Sequence, residues 1–156
     1  MIYGWDSTSS ALMASTDAGS SWETRSSLPL ASLIADPDDP RSLLAVAQSG
    51  LVRSVDGGRT WADVADAPSL SILATAAEKT TGTEGTTGTT YGVTSEGRVH
   101  LSLDGGKTWR AVGDVGGRPE AIVASAAGGQ LRLVVAVSDQ GIVVSTDQGA
   151  TFQALV

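Results

Sequence analysis

The groups in this chain that could do chemistry are its arginines, a scatter of carboxylates, two tyrosines and one histidine. Cleaving an acetal needs two opposed carboxylates, one with a raised pKa to protonate the leaving group. The candidates are Asp6, Asp36, Asp38, Asp39, Glu96, Asp114, Glu120 and Asp139. Asp36, Asp38 and Asp39 fall in a turn bounded by Pro37 and Pro40, where local hydrogen bonding explains them better. Gripping an anionic substrate calls for a cluster of arginines, because guanidinium and carboxylate meet in a bidentate fork. Arg25, Arg41, Arg53, Arg59, Arg98, Arg110, Arg118 and Arg132 are present, but Arg53, Arg59, Arg98 and Arg110 lie in or beside tight hairpins, whose positions face solvent. Tyr3 and Tyr91 could serve as nucleophiles, yet neither has a Glu near it in sequence. His100 stands alone, and one His does not make a zinc site. The Asp-Gly-Gly turns lack the acidic ladder and closing Glu of a calcium loop. No glycine-rich phosphate loop precedes a helix, and no amphipathic helix is legible. No metal or cofactor is expected.

What the sequence does contain is a repeat. Four segments share the pattern S-x-D-x-G-x-[ST]-[WF], built on Ser15, Asp17, Gly19 and Trp22; Ser54, Asp56, Gly58 and Trp61; Ser102, Asp104, Gly106 and Trp109; and Ser145, Asp147, Gly149 and Phe152. The aspartates stand 39, 48 and 43 residues apart, the spacing of propeller blades of four strands each. A short apolar strand leads into each segment, and the chain must then reverse. The glycine can take the positive φ of such a turn. The aspartate can accept hydrogen bonds from the turn's own N–H groups, and the Ser and Thr hydroxyls add more. The aromatic opens the next strand and packs against a neighbouring blade or the turn. All four aspartates therefore read as structural.

These residues resemble the Asp-box, or BNR, repeat of sialidases, sortilin-type propellers, xyloglucanase-type glycoside hydrolases and photosystem II assembly-factor-like proteins. Four copies cover essentially the whole chain. The resemblance implies a β-propeller and says little about activity, because such hairpins sit on folds with many functions. Ile2-Tyr3-Gly4-Trp5-Asp6, Ala35-Asp36-Pro37-Asp38-Asp39-Pro40 and Gly50-Leu51-Val52-Arg53-Ser54 are also similar to bacterial Asp-box proteins described as glycosyl-hydrolase-like. That likeness implies the C-terminal half of a longer plan with further blades upstream, and an extracytoplasmic or secreted location. The chain itself opens on no signal peptide. The arginine-bearing strand motif typical of sialidases is absent.

Composition narrows the partners. The 156 residues are 41% hydrophobic and carry 19 glycines in recurrent turn clusters, which suits an all-β domain. A formal charge of −7 disfavours nucleic acid and anionic membrane surfaces. No apolar run is long enough for a membrane-spanning helix. Without cysteine there are no disulfides or thiolate metal sites.

The expected architecture is an all-β, partial or half β-propeller of four antiparallel four-stranded blades, the first lacking one strand. The blades run over about 1–28, 30–67, 69–115 and 119–156, with a flexible Gly/Thr loop at 78–90. An open array leaves two apolar sheet faces in water, and such patches mark interfaces. Self-association into a ring closed by two copies is expected, unless upstream blades or a closed four-bladed monomer cover those faces. The function that follows is a non-catalytic module for protein or glycan binding or scaffolding. The alternative is a glycoside hydrolase, sialidase-like or xyloglucanase-like, or an inactive fragment of one.

Overall fold

The computed structural model describes residues 1–76, 88–127 and 130–155. Four antiparallel sheets follow one another along the chain, each a simple meander. Blade one holds β1 (Ile2–Asp6), β2 (Ala11–Ser15) and β3 (Glu23–Ser26). Blade two holds β4 (Leu30–Ala35), β5 (Leu43–Ala47), β6 (Gly50–Ser54) and β7 (Ala62–Asp63). Blade three holds β8 (Leu70–Ala76), β9 (Thr89–Thr94), β10 (Arg98–Ser102) and β11 (Arg110–Asp114). Blade four holds β12 (Pro119–Ala127), β13 (Gln130–Val137), β14 (Gly141–Ser145) and β15 (Gln153–Ala154). The fold is the expected propeller architecture, and the first sheet has three strands. The looked-for loop at 78–90 lies largely outside the described residues, but its end is strand, since Thr89 and Thr90 already belong to β9.

Pairing shows that the blades are copies. Ile2, Leu43, Thr90 and Leu133 each sit opposite the serine of their hairpin motif. The first strands β4, β8 and β12 share a bulge, which leaves Ala31, Ser71 and Glu120 without a direct cross-strand partner. Among the described residues blade one has no counterpart of these strands, and the edge of β1 away from β2 is unpaired.

The core lies between blades. Ala45, Val52, Leu33 and Trp61 of blade two form one layer, and the Trp61 indole N–H reaches back to Ser26 Oγ of blade one at 3.1 Å. Leu44, Val46 and Leu51 of blade two meet Leu73 and Trp109 of blade three. Tyr91, Val93 and Val99 of blade three meet Val135, Val143 and Phe152 of blade four. The strand sequences record this stacking. β5 (LLAVA) is buried throughout, because blade two is covered on both sides. β13 (QLRLVVAV) alternates, because blade four is covered on one side.

Candidate functional site

Each repeat builds a hydrogen-bonded knot around its serine and aspartate. In the third, Ser102 Oγ donates to Asp104 Oδ1 at 2.9 Å and accepts from the Gly106 N–H at 2.8 Å. Asp104 Oδ1 also accepts from the N–H groups of Lys107 and Thr108, and Oδ2 from the Thr108 hydroxyl at 2.6 Å. Asp56 receives the same set from Ser54, Arg59 and Thr60. Asp17 is held by Ser15 and Ser21, and Asp147 by Ser145 and Thr151, while the Ser20 and Ala150 N–H groups bond to the Asp17 and Asp147 main-chain carbonyls instead. The four serines are buried and the carboxylates stand at the surface end of each knot.

These bonds stabilise the charged carboxylate. The Ser21, Thr108 and Thr151 hydroxyls, followed by their own N–H groups, hold Asp17, Asp104 and Asp147 at about 2 instead of 3.8. Thr60 lowers Asp56 in the same way. A carboxylate acidified by folding adds stability above its unfolded pKa and gives it up as pH falls through the folded value. Urea midpoints are therefore expected to drop as pH falls from 3.8 towards about 2. Asp→Asn at positions 17, 104 and 147 together should flatten that slope. A pH profile equally steep in the triple variant would rule this origin out.

The turn needs more unusual backbone than the motif pattern reveals. Gly19, Gly58, Gly106 and Gly149 have φ between +85° and +92°, and the residue before each is also left-handed: Ala18, Gly57, Gly105 and Gln148. The motif glycines also lie against the preceding blade. A Cβ on Gly106 would sit 2.5 Å from Leu44 Cδ2, and one on Gly58 2.6 Å from Leu12 Cδ2. On Gly149 it would meet Val99 and Tyr91, while Gly19, with no blade before it, meets only its own Trp22. The aromatics do not open the next strand. Strands resume one residue later, at Glu23, Ala62, Arg110 and Gln153, because the rings turn onto the hairpin or the neighbouring blade.

The other candidate groups are dispersed and tied locally. Asp36 and Asp39 accept N–H bonds from Asp38 and Arg41 within the proline-bounded turn. Asp6 caps Thr8 and Ser9, Asp114 accepts from the Gly116 N–H, and Glu120 from the Ser138 hydroxyl. Asp139 occupies a left-handed turn position, and Glu96 an exposed turn. His100 lies mid-strand in β10 with Nδ1 buried, and burial lowers its pKa. Tyr3 donates its hydroxyl to the Pro40 carbonyl at 2.7 Å, bracing blade one on blade two, and burial raises its pKa. A nucleophilic phenol would need the opposite shift.

One polar cluster escaped the linear reading. Glu23 pairs with Arg25 at 3.3 Å and with Arg59, from the next blade, at 2.9 Å. Arg25 sits in the bulge of β3, its side chain 3% exposed. Nothing in residue spacing announces it, since the bulge that turns Arg25 inward is a property of pairing.

Among the described residues, four clefts between or on the blades bear on a site. One, between blades two and three, includes Asp36, Ser42, Arg53 and Thr90. Another, between three and four, includes Tyr91, Leu103, Leu131 and Asp147. A third runs beside the unpaired edge of β1, between Tyr3, Trp5, Leu12, Leu30, Ser32 and Leu33. The fourth lies on the outer face of blade one, over Met13, Asp6 and Trp22. None of these four brings two carboxylates together, and among the described residues no group of three or more metal-ligating side chains assembles.

No protein-family profile matches the chain. It is 32% identical over 140 aligned residues to a xyloglucanase from a Paenibacillus species, covering 69% of this chain and 14% of that protein. Among solved structures it resembles a glycoside hydrolase family 74 enzyme from Niastella koreensis, with a TM-score of 0.67, 20% identity and coverage of 92% of this chain and 25% of that one. It also resembles YCF48 from Cyanidioschyzon merolae, with a TM-score of 0.61, 21% identity and coverage of 81% and 37%. The chain thus spans 14% of the length of the curated relative and 25% and 37% of these two structures. The structural likenesses establish a β-propeller fold.

Proposed function

We propose that this chain is a non-catalytic β-propeller module of the Asp-box type that binds a β-glucan polysaccharide of the xyloglucan class. The observation that carries the non-catalytic part is the distribution of carboxylates. None of the four clefts holds an opposed pair, and among the described residues every carboxylate whose acidity the fold displaces is made a stronger acid. Acid catalysis of glycoside cleavage needs the reverse.

The sequence similarity to a xyloglucanase supports the choice of polysaccharide. The groove beside β1 supplies a surface for it. Trp5 lines that groove and is 43% exposed, with Tyr3 and Ser32 alongside. An indole face over a sugar ring, with polar groups at the margin, is a mixed apolar and polar recognition surface. Xyloglucan cast into a native gel is expected to retard the protein, and Trp5→Ala to abolish the retardation, with no release of reducing ends by either. The similarity to a xyloglucanase also favours a second reading, part of a hydrolytic site. Release of reducing ends that disappears on replacing a carboxylate would establish that reading and overturn the first.

A further inference from the structure

The two ends of the blade stack carry halves of one interface. In each internal junction, the later blade presents its motif glycine and aromatic, and the earlier blade presents buried apolar side chains from its middle strands. Gly106 and Trp109 lie on Leu44 and Leu51; Gly149 and Phe152 lie on Tyr91 and Val99. Strand register carries this pattern to the ends. Leu44 and Tyr91 correspond to Val134, because each lies one residue beyond the position opposite the motif serine. Leu51 and Val99 likewise correspond to Ile142, three residues before that serine. In blade four these positions face no further blade. Ile142 is 45% exposed, and Val123, across from Val134, is 61% exposed. In blade one, Gly19 meets no preceding blade and Trp22 is 45% exposed.

We propose that a second copy of this chain supplies the missing neighbour. The Val134–Ile142 face of blade four docks on the Gly19–Trp22 face of blade one of the partner, and the reciprocal contact closes a ring of two chains. The proposal rests on continuity with three junctions already built in the same chain. It also removes the large apolar side chains of both terminal faces from water, the driving force for such docking. The contact is head-to-tail, so closure by two reciprocal contacts separates a discrete ring from an open fibre.

Light scattering coupled to gel filtration reads this directly. The expected mass is twice 15.8 kDa. Ile142→Asp and Trp22→Ser should each give monomers with an unchanged β-sheet circular dichroism spectrum, whereas Val55→Asp, on an exposed hairpin tip, should remain dimeric. Mixing the Ile142→Asp and Trp22→Ser chains is expected to restore pairing through the one junction whose two faces are both intact. A parent chain that stays monomeric at micromolar concentration would overturn the proposal. So would a mass above two chains, or a dimer that Trp22→Ser breaks and Ile142→Asp leaves whole, which would place like faces together.

Discussion

Replacing Gly106 by alanine is expected to destabilise the protein by about 3 kcal/mol, while the same change at Gly19 costs about 1 kcal/mol. Both glycines occupy the same turn position, with φ of +85° and +92°, so the penalty for placing an L side chain in left-handed backbone is common to the two. The difference lies in what surrounds them. At Gly106 the new methyl would meet Leu44 Cδ2 at 2.5 Å and Leu44 Cδ1 at 3.0 Å, whereas at Gly19 the nearest atom is Trp22 Cζ2 at 3.9 Å. Leu44 is 5% exposed in the layer between blades two and three, so its side chain has little room to retreat. The pair of variants therefore isolates inter-blade packing from backbone strain. Leu44→Ala alone should cost about 2–4 kcal/mol as a large-to-small core change. Combined with Gly106→Ala it should cost less than the two single changes added together, because the truncated side chain leaves space for the methyl. Urea unfolding at neutral pH measures all four proteins. Equal losses at Gly19 and Gly106, or strict additivity with Leu44→Ala, would show that the glycine serves its own turn and nothing else.

Ser102→Ala is expected to cost about 2 kcal/mol, from the penalty for leaving a buried donor without a partner. Ser102 is 1% exposed and its Oγ is the acceptor for the Gly106 N–H. Alanine leaves that N–H in the junction between blades with nothing to bond. Thr108→Val should cost less, because its hydroxyl bonds to Asp104 at the exposed end of the knot, where water can substitute. Ser102 and Asp104 share a hydrogen bond, so the double alanine variant should lose less than the sum of the single ones. Thermal unfolding of the four proteins tests this. A Ser102→Ala loss no larger than that of Thr108→Val would remove the buried serine from its central place in the knot.

Much of this architecture was legible because the repeat has a local cause. An aspartate that must collect turn N–H groups needs its serine two residues before and its Ser or Thr four residues after, and that spacing survives in linear sequence. The strand count was legible for a similar reason. Leu43-Leu44-Ala45-Val46-Ala47 and Leu131 to Val137 each announce a strand, and the turns between them carry glycine or proline. What was not legible depends on neighbours distant in sequence. The second left-handed residue shows as glycine at 57 and 105 but hides as Ala18 and Gln148. The motif glycine's contact with the preceding blade cannot be inferred from a turn that already requires glycine for its φ. Arg25 turns inward through a bulge, and its link to Arg59 through Glu23 joins residues from two blades. The bracing of Tyr3 on Pro40 spans 37 residues and has no sequence signature.

The self-contained hairpin knot has a thermodynamic consequence. Each of the four satisfies its own aspartate and serine without borrowing a side chain from another blade. A blade can then be treated as a unit with an intrinsic stability plus one coupling to each neighbour, as in a one-dimensional array. Blades two and three have two couplings each, while blades one and four have one each within the chain. In the Ile142→Asp monomer amide exchange should consequently be graded, slowest in β5 and β9 and faster towards the ends. Adding or removing a whole blade would change that sum by one unit and one junction, leaving the remaining hairpins intact. Such a molecule can lengthen by duplication without redesigning any turn.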